Sequence, residues 1–117
     1  ESGGFVQSTV LSSVIKDPEA LAYDATNDVF YIAGGATRGT IFQTDRAGNI
    51  VDSFDFLNSY TNPITGTKPK IKGLELAPSS DPHDGNKMSL YAVDYGVDQK
   101  ADGRVFEIDL YHDWLFA

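Results

Sequence analysis

Short apolar runs rich in Val, Ile, Phe and Tyr recur along the chain, each bounded by Gly, Asp, Asn, Ser or Pro, and none carries the period of an amphipathic helix. Runs of this kind read as β-strands. They also repeat in a fixed order. Ala20-Leu21-Ala22-Tyr23 corresponds to Gly73-Leu74-Glu75-Leu76, and Phe30-Tyr31-Ile32-Ala33 to Leu90-Tyr91-Ala92-Val93. Gly39-Thr40-Ile41-Phe42-Gln43-Thr44-Asp45 then corresponds to Gly103-Arg104-Val105-Phe106-Glu107-Ile108-Asp109. A fourth element, Gly48-Asn49-Ile50-Val51-Asp52-Ser53-Phe54, matches Gly3-Gly4-Phe5-Val6-Gln7-Ser8-Thr9 in its turn glycine and the alternation after it. This match predicts a strand over residues 5–11 and, in the same register, the start of another at Asp113-Trp114-Leu115.

The connections support the same division. Asp24-Ala25-Thr26-Asn27-Asp28 links the first two strands, and Arg46-Ala47-Gly48-Asn49 supplies a glycine able to take positive φ in a hairpin. Residues 78–86 form a longer polar link, and its prolines exclude a central strand there.

Repetition of four antiparallel strands with polar loops between units predicts an all-β chain: a β-propeller fragment of two four-stranded blades, its ends offset from the blade boundaries. The chain reads as one segment, with repeat one over about 4–47, repeat two over about 48–110 and a further outer strand beginning at 113–117. A small sandwich or barrel built from the same strands is the rival. Two blades cannot close a ring, and each has a face that only a neighbour can bury. The expected partners are therefore neighbouring blades, from a longer parent chain or from identical copies joined head to tail, with strand exchange as one way to close the ring.

Composition narrows the function classes. The 117 residues are 41% hydrophobic, with seven Phe and six Tyr, enough for a core. Seventeen acidic against nine basic residues leave a net charge of −8, which opposes binding to nucleic acid or to anionic membrane. No run approaches the length needed to span a bilayer. The absence of Cys removes disulfides and thiolate metal sites together. An acidic, Cys-free chain rich in Gly, Ser and Asp points to export, and its opening on Glu1 rather than Met suits a processed or excised segment.

The stretches Asp17-Pro18-Glu19-Ala20-Leu21-Ala22-Tyr23-Asp24, Val29-Phe30-Tyr31-Ile32-Ala33-Gly34 and residues 39–45 resemble a repeat of the NHL and gluconolactonase-like propellers. They look still more like the esterase/phytase-like propeller units of large secreted bacterial proteins. Ile71-Lys72-Gly73-Leu74-Glu75, Val93-Asp94-Tyr95-Gly96-Val97-Asp98 and residues 101–108 are similar to the same group. The resemblance spans nearly the whole chain through degenerate motifs. It implies a secreted bacterial protein in which a Glu at the place of Glu19 faces a central channel and ligates calcium. The matching place in repeat two is Lys72, so the second blade lacks that acid.

Calcium takes six to eight oxygen ligands from carboxylates and carbonyls, so acidic loops are the places to look. Glu19, before an inner strand, reads either as a ligand or as a solvated charge. Asp94, Asp98 and Asp102 share one loop with two glycines, which suits either a calcium site or an ordinary turn. Asp81, His83 and Asp84, beside Pro82 and Gly85, read as a turn. No nucleophile elbow accompanies the only two histidines, His83 and His112, and neither zinc nor phosphate-cradling patterns occur. Arg38, Lys68, Lys70 and Lys72 could hold an anion but read more simply as surface. The expected function is an exported binding or scaffolding module, with calcium as its one candidate cofactor. The alternative is a calcium-dependent hydrolase of the phytase or lactonase type.

Overall fold

In a computed structural model, which describes residues 3–34, 36 and 38–110, the protein is all-β and consists of two antiparallel sheets. Strands β1 (Pro18–Asp24), β2 (Val29–Gly34), β3 (Ile41–Thr44) and β4 (Ile50–Phe54) follow one another in the first sheet. Strands β5 (Ile71–Pro78), β6 (Met88–Asp94) and β7 (Arg104–Asp109) form the second in the same sequential order. All seven lie on the apolar runs read from the sequence. The strand expected at 113–117 lies outside the described residues.

β1 shows most plainly the two-residue alternation that a half-buried sheet imposes. Along β1, Ala20, Ala22 and Asp24 are buried while Leu21 and Tyr23 face outward. Beside Tyr31, the inward residues of β1 and β2 include three small ones, Ala20, Ala22 and Ala33, and Ala92 repeats the pattern in β6. Small side chains let the sheets approach closely, and β5 packs against β1 and β2. Ile41, Ile71 and Leu90 fill the rest of the space and are fully buried. Each contributes about 1.5–3 kcal/mol by leaving water.

The two sheets share an irregularity. The β1–β2 register shifts between Pro18 and Ala20, and the β5–β6 register shifts between Ile71 and Gly73. The extra residues are Glu19 and Lys72, the pair that sequence comparison aligned. A bulge re-aims the side chain it carries, so these two residues are presented alike.

Residues 5–11, expected as a strand, form none. A strand needs an edge as well as alternation, and this segment meets the β3–β4 turn instead. The Thr9 hydroxyl donates to the Arg46 carbonyl at 3.0 Å, and the Ser12 N–H donates to the Gly48 carbonyl at 3.1 Å. The approach requires glycine at 48, which has φ +87° and where a Cβ would run into the Val10 carbonyl. Leu11 and Ile15 then pack on Ile32, Phe42, Phe30 and Ile50 over the outward face of the first sheet. Ile50–Phe54 pairs with β3, so the first hydrogen-bonded unit runs from 18 to 54.

Candidate functional site

Three of the polar groups singled out from the sequence, Glu19, Lys72 and Asp98, gather where β1, β5 and the β6–β7 loop meet. Lys72 reaches across the gap between sheets: its ammonium lies 3.4 Å from Glu19 and 4.3 Å from the centre of the Tyr95 ring. The Tyr95 hydroxyl donates to Asp98. That bond, with burial and the nearby Asp98 and Glu19 charges, holds the Tyr95 phenol above its ordinary pKa. Glu19, Lys72, Tyr95 and Asp98 therefore form one linked array at the starts of β1 and β5 and just beyond the end of β6.

Asp94 and Asp102 have a different role. Asp94 is fully buried. Its Oδ1 accepts from the backbone N–H of Lys70 at 3.0 Å and of Gly96 at 2.9 Å. Its Oδ2 accepts from Arg104 Nε at 3.1 Å and Nη2 at 2.9 Å. Burial pushes this carboxyl upward, but the two backbone donors and the guanidinium outweigh burial and hold it below the ordinary range. Arg104 continues to the carbonyls of Tyr60 at 2.7 Å and Thr61 at 3.3 Å. Asp102, also buried, accepts from the Val97 N–H through both oxygens, and its carbonyl accepts from the Asn62 amide at 2.7 Å.

Of the four residues expected to ligate calcium, only Glu19 and Asp98 share the array, and they share it through a cation and a phenol. The donor set does not fit a calcium ion. Four N–H bonds occupy the oxygens of Asp94, Asp102 turns both of its oxygens to one backbone N–H, and Glu19 sits beside an ammonium. Among the described residues, no group of three or more acids or histidines is placed to hold a metal. Asp81, His83 and Asp84 lie in a single exposed 3-10 turn, with Asp81 accepting from the His83 N–H at 2.9 Å.

Sequence reading missed Arg104, whose guanidinium makes the loop possible, and Asn62, which ties that loop to the link between sheets. The one available signal was the charge reversal from Glu19 to Lys72 at matched positions. Also missed was a cavity of about 580 Å³ between the inward face of β3 and β4 and the end of β7, lined by Tyr31, Gln43, Asp52, Phe54, Ile108 and Asp109 among others. Compared with known proteins, the chain matches no family model, no curated protein and no solved structure.

Proposed function

We propose that the chain is a two-blade module of a β-propeller, exported by a bacterium, that acts by binding or scaffolding and is completed by neighbouring blades. The observation that carries this reading is the duplication of the inner strands. β1 and β5 are the first strands of their sheets, carry the same bulge and lie against each other, so their bulged residues Glu19 and Lys72 pair. Successive blades around an axis meet through their inner strands in this way.

The outward faces support completion by neighbours. Leu21 and Tyr23 on the first sheet are 59% and 40% exposed, and Val93 and Val105 on the second are 45% and 67% exposed. Apolar rows on both ends of a stacked pair are what a repeat array buries against its next members. The buried carboxylates serve loop architecture, which favours binding over catalysis.

Solution mass tests the reading, since an associated chain is expected and a stably folded monomer would overturn it. Activity is tested separately. A binding module should hydrolyse neither a generic phosphoester nor a lactone, and calcium should leave its Tm unchanged. Metal-dependent turnover would replace this reading with the hydrolase.

A further inference from the structure

We propose that the chain cleaves its own backbone at the Asp81–Pro82 bond. Proline contributes a tertiary amide nitrogen with no hydrogen, which accepts a proton more readily than other backbone nitrogens and so departs more easily. An aspartate placed before it can attack its own carbonyl carbon through the side chain, closing a five-membered ring. Such an intramolecular nucleophile needs no diffusional encounter. The sequence has two Asp–Pro bonds, at 17–18 and 81–82.

Three groups converge on the second of them, in the link between β5 and β6. The carboxylate is held across the proline, because Asp81 Oδ1 accepts from the His83 N–H at 2.9 Å. The Asp81 carbonyl oxygen, part of the bond to be cut, accepts from the Asp84 N–H at 3.0 Å. That donor stands where negative charge develops during attack. A proton donor is also at hand, since His83 Nδ1 lies 3.3 Å from Asp81 Oδ1. Contacts outside these three groups fix the turn. The Asp81 N–H donates to the Ser79 hydroxyl at 3.1 Å, the Ser80 N–H to Glu107 at 2.9 Å and the Ser79 N–H to the Lys87 carbonyl at 3.0 Å. Asp81 and His83 are exposed, so water reaches the bond. The other Asp–Pro bond is placed differently. Pro18 pairs with Gly34 in the first sheet, and the residue after it is Glu19, beside Lys72, rather than a histidine.

Protonated His83 passes its Nδ1 proton to Asp81 Oδ1. Asp81 Oδ2 then bonds to the Asp81 carbonyl carbon, the Oδ1 proton moves to the Pro82 nitrogen, and the C–N bond breaks. This leaves a cyclic succinic anhydride at Asp81 and a free Pro82 amine. One water opens the anhydride to two carboxyl groups, and His83 regains its proton from solvent. The net change is addition of water across one peptide bond. The cut severs the β5–β6 link but leaves the β5–β6 ladder, from Ile71 with Asp94 to Pro78 with Met88, to hold the two pieces together. This activity does not depend on the blade reading.

Full-length chain is incubated at about pH 6, in the range where histidine titrates, and then denatured for intact mass measurement. Residues 1–81 and 82–117 should appear as separate fragments. Cleavage at 81–82 should outpace cleavage at 17–18 in the same molecules by about tenfold or more. Asp81→Ala should abolish the cut, and His83→Gln should slow it by about tenfold or more while leaving 17–18 unchanged. Chain incubated in denaturant should lose the preference, because the Asp84 N–H is brought to the Asp81 carbonyl only by the folded turn. No cut at 81–82, equal rates at the two bonds, a rate unmoved by His83→Gln or a preference kept in denaturant would overturn the proposal. So would a cut that persists in Asp81→Ala or quickens with protein concentration, since it would belong to a protease or to another copy.

Discussion

The two sheets are copies in strand order and bulge position, yet their β-loops are held by different chemistry. In the first, the half-buried Asn58 amide spans the start of β3: its Oδ1 accepts from the Gly39 N–H at 3.0 Å and its Nδ2 donates to the Thr40 hydroxyl at 3.3 Å. In the second, the equivalent place holds a buried ion pair, Asp94 with Arg104, joined by Asp102 and Asn62. Where Gly34 and Thr40 stand in one copy, Asp94 and Arg104 stand in the other. Both loops are tied to the link between sheets, through Asn58 in one case and through Asn62 and the carbonyls of Tyr60 and Thr61 in the other. A duplicated backbone can thus be closed by neutral hydrogen bonds or by a buried charge pair, and the two solutions should fail differently.

The largest difference should come from the ion pair. Asp94→Ala leaves Arg104 without its carboxylate and orphans the N–H groups of Lys70 and Gly96, so denaturant unfolding should show a loss of about 3–5 kcal/mol. A loss below 1 kcal/mol would show that the second loop does not depend on the pair. Asn62→Ala comes next, since it strands the buried Asp102 carbonyl and should cost about 1–3 kcal/mol. Asn58→Ala, its counterpart in the more accessible loop, should cost less in the same assay, and the reverse order would break the comparison.

The contact between sheets is weaker. Lys72→Glu replaces a partly exposed attraction with a repulsion, and the pair itself is worth about 0.2–1 kcal/mol. Adding Glu19→Lys should restore stability by a similar amount, whereas additive losses in the double variant would deny the pair any coupling.

The smallest effect lies on the outward face of the second sheet. Glu107 accepts from the Ser80 N–H at 2.9 Å and the Ser89 hydroxyl at 2.8 Å. Hydrogen bonds from Ser80 and Ser89 lower its pKa from 4.5 to about 2. A carboxyl depressed on folding contributes stability that is fully present above 4.5 and is lost as pH falls toward about 2. The difference in unfolding midpoint between the natural chain and Glu107→Gln should therefore narrow across that window. A constant difference would place the effect outside titration.

Alternation and repetition along the chain determined where the strands lie, because side-chain period is a local property that each segment carries with it. They also aligned Glu19 with Lys72 before any contact was known. Pairing was another matter. Residues 3–9 and 48–54 have the same pattern, but among the described residues only the latter pairs with a neighbouring strand, and edges exist only once sheets have assembled. Asp94 and Asp102 looked like open ligands because Asp and Gly spacing suits a cation loop and a turn alike. Their fate was decided by donors distant in sequence, Arg104 and the N–H of Lys70 for one and Asn62 for the other's carbonyl. Tertiary structure alone brought those donors in, since a buried carboxylate must be satisfied by whatever the fold places beside it.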